Sequence, residues 1–172
     1  MKTVLEGAAW VFGDNIDTDV LAPGAYMKGS IQELAAHCLE AVNPDFASQV
    51  KPGDIMVAGD AFGIGSSREQ AAQALVELGV AAIVARSFAR IFYRNALNLG
   101  LPVLFCPSLG KVSPGDKLQL DLQQGLLRNL TSGEHFQCDP IPVELMAILA
   151  AGGLMPYLKQ RFAAEAASGS AR

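Results

Sequence analysis

Residues 55–85 read IMVAGDAFGIGSSREQAAQALVELGVAAIVA, and this stretch decides the fold. Pro52-Gly53-Asp54 turns the chain into a short apolar strand, Ile55 to Ala58. A glycine-rich loop follows, and Ser66-Ser67-Arg68-Glu69 are predicted to open a helix. Its apolar positions Ala71, Ala72, Leu75, Val76 and Leu78 fall on one broad face. Gly79 stands where a glycine ends a helix. Val80 to Ala85 is then a continuous apolar run, the pattern of a strand buried on both faces. Just beyond, Ser87 is expected to cap a second helix with Phe88, Ile91, Phe92 and Leu99 inward, stopped by Gly100 and Pro102 before the strand Val103 to Phe105. Strand, helix, strand, helix, strand implies parallel pairing with right-handed crossovers.

The flanks complete an α/β unit with a parallel βαβαβ core and additional C-terminal strands. Val4 to Phe12 reads as an early strand ended by Gly13-Asp14-Asn15. Ser30, with Glu33 as capping-box partner, predicts a helix reaching about Val42. After Pro107 the period changes: Lys117 to Leu122, Gly125 to Leu130 and Glu134 to Cys138 alternate like strands joined by tight turns. Helices are expected over Val143 to Ala150 and near Met155 to Phe162. No repeat or linker divides residues 1–162, which read as one domain, and 163–172 read as a flexible tail.

At 172 residues the chain can bury a substantial core, and 17% charged residues leave little room for long disorder. A net charge of -4 argues against nucleic acid and against an anionic membrane surface as partners. The low charge hints that some surface is covered by another subunit. Cys38, Cys106 and Cys138 are far apart and in no CxxC pair, as in a reduced cytoplasmic protein. His37 and His135 share no metal-ligand spacing, so a self-contained metal site is not expected. No apolar leader follows Met1, and Ala71 to Ala85 is interrupted by Gln73, Glu77 and Gly79, so no membrane span is expected.

Chemistry concentrates in Gly63-Ile64-Gly65-Ser66-Ser67-Arg68-Glu69. Two glycines admit a ligand close to the backbone, two hydroxyls add donors, and Arg68 offers a bidentate fork to a carboxylate. The segment reads as a carboxylate or phosphate receptor, although no Gly-Lys-Ser/Thr follows to make a nucleotide loop. The plainer alternative is a capping box of Ser66 and Glu69 beside a surface arginine. Asp14-Asn15-Ile16-Asp17-Thr18-Asp19 is a second polar cluster, read either as turn and cap residues or as cation ligands. Arg86, Arg90 and Arg94 make a basic stripe, either a solvated face or one that meets an anionic partner.

Three blocks resemble the small subunits of 3-isopropylmalate dehydratase in the aconitase superfamily, in their short form: Gly13 to Asp19, Phe62 to Glu69, and Ser87 to Asn95. The closing Ala150-Ala151-Gly152-Gly153-Leu154 is similar as well. The resemblance implies a swivelling β/β/α domain that closes over a large subunit carrying a 4Fe–4S cluster on its own cysteines. It implies a hydro-lyase that isomerises a 2-hydroxy diacid by dehydration and rehydration, in leucine biosynthesis. On the matching positions, Ser66 would be the base, Ser67 and Arg68 would bind a substrate carboxylate, and Asp19 would lie in the loop brought to the active site. Ile64 stands where the family commonly has Cys, and Gln70 where it often has His. The loop associated with the substrate's side group reads Tyr26-Met27-Lys28-Gly29, with Lys28 in place of a forked arginine. Homoaconitate, dimethylmalate and citraconate/methylmalate are therefore alternative substrates, and a stand-alone carboxylate-binding module is the alternative of another class.

Overall fold

The structure, a computed structural model, describes residues 1–169. The chain forms β1 (Val4–Val11), the short helices α1 (Thr18–Leu21), α2 (Ile31–Ala36) and α3 (Phe46–Gln49), then β2 (Ile55–Ala58), α4 (Gln70–Glu77), β3 (Ala82–Ala85), α5 (Arg90–Asn98) and β4 (Val103–Phe105). The second half is β5 (Lys117–Asp121), β6 (Leu126–Asn129), β7 (His135–Gln137), α6 (Val143–Ala150) and α7 (Leu154–Gly169). All strands join one sheet in the order β4-β3-β2-β1-β5-β6-β7. β1 to β4 are parallel, and β1·β5, β5·β6 and β6·β7 are antiparallel. The expected βαβαβ core is present, extended by β1 on one side.

Burial explains the periods read from the sequence. Every residue of β2 and β3 is buried, as a strand covered on both faces requires. In β5, Leu118 and Leu120 are buried between more exposed neighbours, the alternation of a strand with one wet face. α4 buries Ala71, Ala72, Ala74 and Leu75, whereas Val76 is exposed. In α5, Phe92, Ala96 and Leu97 point inward, and Ile91 faces out. Phe62, Phe88 and Phe92 pack together edge-on and stacked, with Phe105 against Phe88.

Some expected helix boundaries differ. Ser30 Oγ does accept from Glu33 N (3.1 Å), but α2 ends at Ala36 rather than near Val42. His37 leaves helical geometry as the C-cap (φ -108°, ψ 4°), and beyond it Leu39 N donates to Val20 O (2.8 Å) instead of back into the helix, with Leu39 itself at a left-handed φ of 62°. α7 continues to Gly169 with only exposed residues from Lys159 onward, where a flexible tail from 163 is expected; 170–172 lie outside the described residues. Among the described residues no helix is long and apolar enough to cross a membrane.

Candidate functional site

Three loops leave the C-terminal ends of adjacent parallel strands: 12–17 after β1, 59–69 after β2 and 86–89 after β3. Ligands of open α/β sheets collect at such ends. The loop from the middle strand is hydrogen-bonded to both neighbours. On the β1 side, Gly63 N donates to Ile16 O (2.6 Å) and Thr18 N to Ile64 O (2.8 Å). On the β3 side, Phe62 N donates to Ser87 O (3.0 Å) and Ala89 N to Phe62 O (2.9 Å). The Asp14 carboxylate accepts from Asp60 N (2.7 Å), and Ser87 Oγ accepts from Ala61 N (2.8 Å). These bonds hold the loop as an added layer of the sheet.

Gly63 and Gly65 are required by the backbone. Both have left-handed φ, 83° and 107°. A Cβ on Gly63 would overlap the Phe92 side chain, and one on Gly65 would stand 3.0 Å from Thr18 Oγ1. The loop is thus drawn down onto Thr18 and α5, which lifts Ser66 and Ser67 into solvent.

The capping-box alternative does not hold. α4 starts at Gln70 with Glu69 at the capping position and no side-chain cap. Ser66 is instead tied to Thr18: its N–H donates to Thr18 Oγ1 (3.0 Å), and the two hydroxyl oxygens lie 3.1 Å apart. Ser87 is likewise no cap, since α5 starts at Arg90 and the Ser87 hydroxyl serves Ala61. In both cases a bond across loops takes the hydroxyl that a local cap would use.

Arg68 pairs with Asp19 through Nη1 (2.6 Å), and the same nitrogen donates to Ala22 O (3.1 Å). Its Nε and Nη2 edge bonds to nothing among the described residues, which leaves one side of the fork for an incoming carboxylate. Asn95 Nδ2 donates to Ser67 O (3.3 Å), so α5 steadies the loop from behind. The N–H groups of Ser67, Arg68 and Glu69 meet no acceptor among the described residues, an arrangement that suits an anion. The structure therefore brings Ser66, Ser67, Arg68 and Asp19 into one corner. Lys28 is exposed just beyond the turn Gly24–Tyr26 and bonds to none of them. That turn is steadied by Tyr26, which stacks on His37 at 3.6 Å.

Thr18 and Asn95 escaped the sequence reading as site residues. Their partners lie 48 and 28 positions away, and only the strand order makes them neighbours. Asp17 proves to be a cap, accepting from Asp19 N and Val20 N, and no group of metal-ligating side chains converges among the described residues. Of the basic stripe, Arg86 Nε donates to Leu109 O (3.4 Å). Arg90 and Arg94 line a groove of about 530 Å³ with Tyr93, Leu97, Phe105 and Leu145, which contains none of the residues of the Ser66 corner.

The family of the aconitase C-terminal domain matches residues 18–107, a span that contains the whole of the loop 59–69. The chain belongs to that family, in its branch of 3-isopropylmalate dehydratase small subunits. It is 50% identical over 159 residues to 3-isopropylmalate dehydratase small subunit 1 of Thermotoga maritima, covering 91% of this chain and 96% of that one. It is 51% identical over 163 residues to the methanogen homoaconitase small subunit of Methanothermobacter thermautotrophicus, covering 92% and 94%. The isopropylmalate/citramalate isomerase small subunit of Methanocaldococcus jannaschii is 47% identical over 165 residues, covering 95% and 98%. A crystal structure of 3-isopropylmalate dehydratase from the same archaeon superposes with a TM-score of 0.91 at 40% identity, covering 96% of this chain and 99% of that one.

Proposed function

We propose that the chain is the small subunit of a two-subunit cytoplasmic hydro-lyase, which isomerises a 2-hydroxy diacid of the isopropylmalate type for leucine biosynthesis. The observation that carries this reading is the corner itself: an exposed serine hydroxyl, held from below, beside an arginine with one free edge and three unbonded N–H groups. The reaction removes a proton and a hydroxyl from adjacent carbons, then returns water with the two positions exchanged. Ser66 takes the proton from the carbon next to a carboxylate. Ser67 and Arg68 hold that carboxylate, and Asp19 keeps the guanidinium in place. The free N–H groups and Arg68 stabilise the charge that develops. Lys28, on its exposed loop, faces the substrate's variable group.

The 4Fe–4S cluster of such an enzyme belongs, in this reading, to the large subunit, where it supplies Lewis-acid chemistry for the departing hydroxyl. This chain's own thiols do not fit a cluster. All three are buried; burial pushes Cys38 up to about 12, and a hydrogen bond between Cys106 and Cys138 lowers the former and raises the latter. Because Ser66 and Ser67 lie in the open, water leaves the site only when the partner covers it.

The test is an anaerobic reconstitution with the large subunit, assayed by hydration of a panel of unsaturated diacids. Ser66→Ala is expected to lower kcat by about 10²–10⁴-fold with assembly intact. Arg68→Lys is expected to raise KM by about 10–100-fold, the loss of a forked, charge-assisted pair. Near-normal turnover by Ser66→Ala removes Ser66 from the chemistry. Diacid binding by the isolated chain, without a partner requirement, supports a carboxylate-binding module instead. The homoaconitase and citramalate relatives stand at comparable identity, so the panel includes their substrates and dimethylmalate, and its best member sets the substrate class.

A further inference from the structure

Thr18 opens α1 and is 2% exposed, a hydroxyl set in the core directly beneath Gly65 and Ser66. Its backbone is fixed on both sides: Thr18 N donates to Ile64 O (2.8 Å), and Ala22 N donates to Thr18 O (2.9 Å). A threonine hydroxyl has one proton and two lone pairs. The Ser66 N–H occupies one lone pair at 3.0 Å. Among the described residues, the one acceptor bonded to Thr18 Oγ1 that can take its proton is Ser66 Oγ, at 3.1 Å. Ser66 is exposed, so its own proton has solvent or substrate to meet.

We infer that Thr18 donates its hydroxyl hydrogen to Ser66 Oγ and is the positioning residue for the base. This rests on the reading of Ser66 as that base. Two bonds from one buried oxygen fix both the Ser66 backbone and its side-chain rotamer, aiming the remaining lone pairs of Oγ outward. A donor held on that oxygen also favours its deprotonated form, and does so from the dry side of the loop, where a hydrogen bond is stronger. Ser66 first gives up its own proton to solvent; when the resulting alkoxide removes the substrate's proton, a C–H bond breaks with its electron pair left on carbon, and a Ser66 O–H bond forms. The Thr18 proton stays where it is. Gly65 belongs to the same device, since a side chain there would crowd the Thr18 oxygen.

The experiment uses the complex reconstituted with its large subunit and a substrate carrying deuterium on the carbon that loses its proton. Thr18→Val keeps the shape and removes the hydroxyl. We expect kcat to fall by about 10–100-fold with KM within about twofold, the loss of one bond to a charged oxygen. The primary isotope effect on kcat is expected to rise as proton removal becomes rate-limiting. Thr18→Ser, which restores the donor, is expected to recover kcat to within about threefold. A wild-type kcat and isotope effect in Thr18→Val overturn the inference, as does a Thr18→Ser no better than Thr18→Val. Should Thr18→Val fail to assemble, Thr18→Cys, a much weaker donor, carries the same expectations, and wild-type behaviour there overturns the inference equally. Ser66→Ala separates the two readings. If it is inactive while Thr18→Val is normal, the role of Thr18 alone falls; if Ser66→Ala is active, the base assignment falls with it.

Discussion

Gly63 and Gly65 show how a residue chosen for what it lacks shapes a site. At Gly63 both the left-handed φ and the Phe92 ring forbid a side chain, so Gly63→Ala is expected to cost about 2–4 kcal/mol. Equilibrium urea unfolding measures it. Gly65 has the same handedness but its one tight neighbour is the Thr18 hydroxyl beneath it, so Gly65→Ala is expected to cost about 1–2 kcal/mol and to harm turnover more than folding. Gly63, Gly65, Ser66 and Arg68 were legible in the sequence because they fall within six residues and are unusual together. Thr18 was not, because a threonine between two aspartates looks like any turn. Its meaning comes from a partner 48 positions away.

Among the elements, strands were easier to read than helix starts. The buried runs of β2 and β3 and the alternation of β5 follow from how many faces each strand buries, which composition records. Ser66 and Ser87 looked like caps, yet their hydroxyls bond across loops, a choice that depends on strand order. Ser87→Ala strands the Ala61 N–H and is expected to cost about 1–2 kcal/mol, where a lost cap would have loosened α5 instead. Amide exchange at Ala61 and along α5 distinguishes the two. At the β6–β7 hairpin, the buried Asn129 donates from Nδ2 to the Asp116 carboxylate (2.8 Å), and Ser113 N donates to the same oxygen (2.9 Å). These bonds hold Asp116 below its ordinary value of 3.8. Their contribution is complete above that value and disappears as pH falls through the depressed one. Asp116→Asn is therefore expected to lower the melting temperature at neutral pH, with the difference from wild type closing in strong acid.

On the scale of the whole molecule, the parallel core and the antiparallel extension share β1 as their common strand. The sequence showed both halves but not where they meet, because parallel and antiparallel neighbours of one strand leave no separate mark on its composition. The last part of α7 lies off this sheet: 159–169 are exposed, and the Arg161–Glu165 pair and the Ser168 bond to Glu165 O stay within the helix. We propose 1–162 as the folding unit; a chain ending at Phe162 is expected to keep its melting temperature to within about 2 °C. A larger drop measured by calorimetry assigns the final turns to the fold.

The central place of β1 also orders events on the ribosome. β1 is made before every strand that pairs with it. Its parallel partner β2 emerges first, and the crossovers to β3 and β4 follow. Its other edge waits for β5, where Leu5 finally meets Leu120. Between the appearance of β4 and that of β5 the nascent chain carries a half-finished sheet with an open, partly apolar border, for a time on the order of a second. Slow translation through residues 106–116 would lengthen that exposure, and with it the interval in which a chaperone has something to hold.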